Sequence, residues 1–219
     1  LKWHQDFTVK MVQNFYKLMR PPKILSIKFI KNKKNNMSKK LFILLLFFIL
    51  KITNSSANDR EINLNKLFDE LKTNNPSLSF EIEQKIWKIW STHPKDDNLT
   101  QMLSEGSILV NNKKYNEAVI IFSKVIEIDP NWAEAWNKRA TILYLLGEFQ
   151  KSQKDIDKVL KLEKRHFGAL AGQGLVNIQL KNYEKAIMSY KKAQEIYPTM
   201  KSPKIMIKEI EDLIKKLSI

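Results

Sequence analysis

The chain has 219 residues, a formal charge of +15 and no cysteine, length enough for one domain or for a repeat array with appendages. Without cysteine, disulfides, thiolate metal sites and a cysteine nucleophile are excluded. The charge suggests nucleic acid, but residues 1–57 hold 12 Lys/Arg against one acid, Asp6, whereas residues 58–219 hold 26 against 22 acids. The basic excess is mostly a basic leader, and nucleic acid is not expected as a partner.

Residues 1–36 mix Lys, Asn, aromatic and apolar residues around Pro21-Pro22. They read as an extension upstream of a start at Met37, or as a disordered segment; the run from Lys28 to Lys34 would otherwise suit a membrane surface or nucleic acid. From Met37 the layout is that of a secretory signal peptide. A short basic segment, Met37 to Lys40, precedes the unbroken apolar run LFILLLFFIL from Leu41 to Leu50, and Ser55 and Ala57 stand at the −3 and −1 positions of a cleavage site. The run is shorter than the roughly 20 residues a membrane-spanning helix needs. The expectation is a signal peptide over 37–57, cleaved after Ala57, with a periplasmic or secreted mature chain. The alternative is an anchor kept through residues 41–53 and facing the periplasm, which would make the protein a membrane-anchored scaffold or assembly subunit.

Residues 58–98 read as a linker and an N-terminal helix pair. Asn58 to Asn63 is polar; Leu64, Leu67, Phe68 and Leu71 then recur at helical spacing. Asn74-Asn75-Pro76 stops that helix. Ser79 is a cap for the next, with Glu81 and Glu83 in a first turn where the helix dipole favours acids. Ile82, Ile86, Ile89 and Trp90 form its apolar stripe, widened by Trp87. The pair is nearly of repeat length but out of register with residues 99–200, so it is expected to be a degenerate repeat or a cap on an array.

That array is three copies of one pattern, over 99–132, 133–166 and 167–200, 34 residues apart. Gly106, Ala140 and Gly174 share a position, as do Tyr115, Phe149 and Tyr183. Ala118, Ser152 and Ala186 share another, and so do Phe122, Ile156 and Tyr190; Pro130, Lys164 and Pro198 close the copies. A period of this length denotes stacked helix–turn–helix units. Asp97 or Asn98 is expected to cap the first helix, and Gly147 to supply the positive-φ residue after the third. Residues 201–219 read as a C-terminal capping helix, with Ser202 as N-cap before Pro203. Its apolar side, Ile205, Ile207, Ile210, Leu213, Ile214 and Leu217, is set against lysines and acids.

These landmarks resemble the tetratricopeptide-repeat family. Trp136, Ala140, Gly147, Tyr115, Tyr183, Ala118, Ala186, Phe122, Tyr190, Ala193, Pro130 and Pro198 match its pattern. Met102 and Leu170 stand where it has Trp, Ser152 where it has Ala, and Lys164 where it has Pro. With IWKIW ahead of the repeats and EKRHFGALAGQG inside them, the layout is similar to small exported bacterial members without an assigned activity. The resemblance implies an all-α fold, a right-handed superhelix of antiparallel helix pairs, and a non-catalytic module of the bacterial cell envelope that binds a peptide or protein on its concave face.

In that family the first helix of each unit lines the concave face, which implies Glu134, Asn137, Thr141 and Tyr144 as peptide-binding residues, together with Leu103, Ser107 and Leu175. Val110, Thr100, Gly168, Ala171 and Ile178 complete the rows. Asn137 and Tyr144 are the best polar contacts, since an Asn amide serves a peptide backbone as donor and acceptor. Members that grip a C-terminal carboxylate use Lys or Arg at such positions, and Leu103 and Ala171 stand there instead. The face could also stay empty, or hold the protein's own tail.

No catalytic constellation, metal-ligand spacing or cofactor motif is legible, so no enzyme, metal or cofactor is expected. Gly168 to Gly174 lacks the strand that precedes a phosphate loop and reads as close helix packing. His166 has no Ser or Cys with an acid as partner and reads as a helix-end residue. Glu81 and Glu83, two apart, point to different sides of a helix. The tryptophans Trp87, Trp90, Trp132 and Trp136 lie in apolar stripes and read as core.

Overall fold

The computed structural model describes residues 59–73 and 75–217. Residues 1–36, the leader 37–57 and the apolar stretch 41–53 lie outside the described residues. The chain divides into two units, residues 1–65 and 66–219, of which the second holds the array. The described residues contain nine helices and no strand. They are α1 (59–71), α2 (Pro76–Ser91), α3 (Asp97–Asn111), α4 (Tyr115–Ile128), α5 (Ala133–Leu145), α6 (Phe149–Leu162), α7 (Phe167–Gln179), α8 (Tyr183–Ile196) and α9 (Lys201–Leu217). Helix thus begins at residue 59, inside the stretch read as a linker.

The pairs α3–α4, α5–α6 and α7–α8 stack in order, and α9 packs on α8. The first helices of successive pairs also touch, α3 on α5 and α5 on α7. The array therefore bends toward its first helices, which form the inner face of an all-α solenoid. One turn joins the two helices of every pair. Lys113, Gly147 and Lys181, one period apart, have φ of 61°, 79° and 60°. The amides of Lys113 and Lys114 donate to Val110 and Leu109; Gly147 and Glu148 donate to Tyr144 and Leu143, and Lys181 and Asn182 to Ile178 and Asn177. This is the Schellman closure. A left-handed residue with a Cβ costs about 1–2 kcal/mol, so the two lysines are held there by the closing bonds and the helix packing.

Small residues let the helices of a pair approach, and their size is matched to the side chain opposite. A Cβ on Gly106 would lie 2.4 Å from the Phe122 ring, and one on Gly174 2.5 Å from Tyr190. The middle repeat has Ala140 and Ile156 at the same two positions, a larger first residue with a smaller second. Ser152, the departure from alanine, is buried and donates its hydroxyl to the Ala140 carbonyl at 2.8 Å. Arg139 grips Asp155 of its own repeat with two bonds of 2.7 and 2.8 Å and reaches across to Ser123 of the first repeat at 3.0 Å. One period later Gln173 takes the place of the arginine, accepting from Ser189 of its own repeat at 2.9 Å and donating to Asp157 of the second repeat at 3.5 Å.

The stack ends at α3. Ile108 is 56% exposed where its equivalents Ile142 and Val176 are fully buried, and exposed Gln101 replaces buried Ala135 and Ala169. Helix starts also differ from expectation. Asn75 caps α2, accepting from the amides of Ser77 and Leu78, with Pro76 opening the helix; Ser79 lies inside it. Proline's fixed φ suits that first position, which leaves the cap to the residue before it. Asp96 caps α3 in place of Asp97 or Asn98. α9 starts at Lys201, which puts Ser202 and Pro203 within its first turn.

The glycine–aromatic match makes a test. Gly174→Ala gains about 1 kcal/mol of helix propensity but meets a rigid ring, and such overpacking costs about 1–3 kcal/mol. Urea denaturation is expected to show a net loss, and Gly174→Ala with Tyr190→Ile, which recreates the middle repeat's pairing, to recover most of it.

Candidate functional site

Helix α2 does not extend the stack as a further repeat. It runs along the inner edge of the array, from the third repeat back to the first. Midway along it Glu83 accepts a hydrogen bond of 3.0 Å from the Tyr197 hydroxyl, just past α8. Trp87 and Trp90 then pack on the start of α7: Trp87 meets His166 and Phe167 edge-on with centroids 5.5 and 5.4 Å apart, and Trp90 lies 5.1 Å from Phe167. At its end the Trp90 carbonyl accepts from Trp132 Nε1 at 2.8 Å, ahead of α5. Beyond it, His93 Nε2 bonds Asp129 at 2.8 Å, at the end of α4. The grips recur with the repeat, since Trp132 and His166 are one period apart and Asp129 and Tyr197 two. Phe68 of α1 meets Trp90 at a tilt, centroids 5.9 Å apart, and the Arg165 guanidinium lies 4.5 Å from the Phe68 ring centre.

His166 joins this strap to the array. Its Nδ1 accepts from the Ala169 amide at 3.1 Å, capping α7, so Nε2 carries the proton and donates to Glu134 at 3.0 Å. The ring is fully buried and stacked on Trp90, centroids 4.0 Å apart and planes within 7°. Glu134 Oε2 also accepts from Asn137 Nδ2 at 3.1 Å, and Lys138 Nζ lies 3.2 Å from Oε1 as an ion pair. Burial pushes the Glu134 carboxyl up, but Lys138 and then His166 more than offset this and hold it below the usual glutamate range. Glu83 goes the other way: burial raises it, and the hydrogen bonds from Trp87 and Tyr197 compensate only in part.

The residues expected to bind peptide separate into two sets. Glu134 and Asn137, 1% and 3% exposed, lie with Lys138 and His166 beneath the strap. The Asn137 amide already donates to Glu134, so it is not the free peptide contact expected of it; the sequence carries no sign that α2 would cover it. Leu103 is buried as well. Ser107, Thr141 and Leu175, one row one period apart, are half-buried and open along the other half of the inner face. The hydroxyls of Ser107 and Thr141 are spent on the Leu103 and Asn137 carbonyls of their own helices. Tyr144 is nearly buried beside that row, bridged to α7 by a 3.3 Å bond from Gln179 Nε2 to its hydroxyl; burial pushes its phenol up to about 12. The open half thus offers apolar contact and shape, with few free polar groups.

Sequence reasoning assigned His166 to a helix end and the tryptophans to the core; it missed that both meet in one cluster. The only hint was the pair of tryptophans, Trp87 and Trp90, on a helix out of register with the repeats. Among the described residues no group of His, Asp or Glu is arranged to hold a metal ion.

An all-helical repeat array with a partly covered inner face is the class that the geometry defines. A family model described as anaphase-promoting complex, cyclosome, subunit 3 matches residues 111–193. A TPR repeat-containing protein of Rhizobium etli is 31% identical over 153 residues, covering 68% of this chain and 73% of its own length. Of seven further curated relatives the chain spans only 12 to 31% of the length. Among solved structures, the Sgt2 TPR domain of Aspergillus fumigatus superimposes with a TM-score of 0.54 at 18% identity, over 56% of this chain and 83% of that one. The first TPR of Spaghetti (RPAP3), bound to HSP90 peptide SRMEEVD, does so with a TM-score of 0.52 at 20% identity, over 53% and 93%. The chain belongs to the tetratricopeptide-repeat family.

The buried quartet sets a pH signature. Glu134→Gln leaves Lys138 buried without its countercharge, which costs about 3–5 kcal/mol at neutral pH. Because the folded carboxyl lies below its unfolded value, the wild-type advantage is full above the unfolded value and is lost as pH falls through the folded one. Urea midpoints of the two proteins from neutral to acid pH are expected to converge on the acid side; a constant gap would show that Glu134 is not the ionised partner.

Proposed function

We propose that the protein is a non-catalytic protein-interaction module, binding a peptide or partner protein along the open half of the inner face, around Ser107, Thr141, Tyr144 and Leu175. The observation that carries this is the half-buried row on the first helices, left uncovered by α2 and poor in free polar groups. Membership of a family of protein-binding repeats supports it, as does the solved relative bound to an HSP90 peptide. The partner of this chain is of another kind than a carboxylate-clamped terminus. Leu103 and Ala171 occupy clamp positions, and the cations of α5, Lys138 and Arg139, are committed to Glu134 and Asp155. Photo-cross-linking side chains placed at Thr141 and Leu175 are expected to trap partner protein in cells, and the same groups at Ile120 and Met188, exposed on the second helices, to trap none. Equal yield from both faces would overturn the reading.

The leader supports a place in the bacterial cell envelope for this module, exported and released by cleavage after Ala57; retention of residues 41–53 would make it an anchored scaffold instead. Among the described residues no helix is long and apolar enough to cross a membrane. The intact mass of the protein from its native envelope is expected to match a chain beginning at Asn58, and a chain that keeps residues 37–57 would establish the anchored form.

A further inference from the structure

Helix α2 has the chemistry of a ligand. It is amphipathic and presents Glu83, Trp87 and Trp90 along one side, a carboxylate four residues before the first of two aromatics three apart. Each of the three meets a group of the array: the Tyr197 hydroxyl, the His166 and Phe167 rings, and through the Trp90 carbonyl the Trp132 indole. Its hold is nevertheless imperfect. Trp90 Nε1 is buried without a hydrogen-bond partner, and Phe80, seven residues before Trp87 and on the same side of the helix, is left 53% exposed. The segment 92–96 that ties α2 to α3 is short and contains Pro94, so it acts as a tether outside both helices. Beneath α2 lie Glu134, Asn137, Lys138 and His166, a polar set that an open face would present to a ligand.

We propose that α2 is a built-in occupant of the inner face, and that the covered half of that face binds a partner's amphipathic helix of the same pattern, Glu-x-x-x-Trp-x-x-Trp or its aromatic equivalent, which replaces α2. This rests on the reading of the inner face as a protein-binding surface and names the partner's chemistry. A tether of this length gives α2 an effective concentration in the millimolar range, so a free helix of equal intrinsic affinity binds only weakly while α2 is seated. Its apparent affinity is lowered by the fraction of molecules in which the face is open. A partner helix that finds an acceptor for its second indole competes better than α2 itself.

The probe is a fluorescein-labelled synthetic peptide of residues 76–91, titrated by anisotropy against the full chain and against its Trp87→Ala/Trp90→Ala variant. The expected result is binding to the variant at least about tenfold tighter than to the wild type, abolished when the peptide carries the same two alanines. Binding to neither protein, or equally to both, would overturn the proposal. Should the variant melt at working temperature, hydrogen exchange on the wild type decides: amides of α2 exchanging faster than those of α5 and α7 support a releasable strap, and equal protection overturns it. A wild-type dimer exchanging α2 between copies, read by light scattering, would also overturn the intramolecular assignment. The cross-links at Thr141 and Leu175 read the open half and the peptide reads the covered half, so either can fail while the other stands.

Discussion

The stack of Trp90 on His166 is the contact on which the rest of the arrangement depends. One imidazole caps α7, lies face to face with an indole of α2 and donates to a buried glutamate of α5. The tautomer is set by the first bond, the donor direction by the second, and the ionised state of Glu134 by Lys138 beside it. Each part has a cost in isolation: a buried carboxylate, a buried ammonium, a ring nitrogen away from water. Together they offset one another, Oε2 of Glu134 by hydrogen bonds from His166 and Asn137 and Oε1 by the charge of Lys138 alone.

That contact changes the physics of the array. Repeats in a solenoid ordinarily touch only their neighbours, so stability is a sum of local terms. Here a helix from outside the repeats binds at points one and two periods apart, from Tyr197 to Asp129 by way of His166 and Trp132. A strap of this kind makes the first and third repeats cooperative, and it divides the inner face into a covered and an open half. The open half is apolar and short of free hydrogen-bonding groups, which suits recognition by shape. The covered half keeps the polar quartet.

Much of the fold was legible because a repeat states its own period. The positions of Gly106, Ala140 and Gly174, of the aromatics that start each second helix, and of the closing Pro130 and Pro198 placed six helices correctly to within a residue or two. Cap positions were harder to place, since Asn75 and Asp96 each have polar neighbours of equal propensity and only backbone conformation selects among them. The inner-face residues were named from a family geometry that leaves each of them open to a peptide, and Ser107, Thr141 and Leu175 lie half-buried on the first helices. That geometry does not hold for Asn137, whose amide is spent within the buried quartet.

What the sequence determined by itself is the local part: helix pairs, their 34-residue period, the left-handed residue at Gly147, and the small residues that let the two helices of a pair approach. These follow from contacts at fixed, short separations, so periodicity encodes them. Where α2 lies was decided only in the tertiary structure. Glu83 and Tyr197 are 114 residues apart, and no spacing rule links them. An amphipathic helix with two tryptophans can bury its stripe against any apolar surface of the right shape. The inner edge prevailed over the end of the stack because it supplied ring faces for the tryptophans and a hydroxyl for the carboxylate, whereas the exposed side of α3 offered Gln101, Ser104 and Glu105.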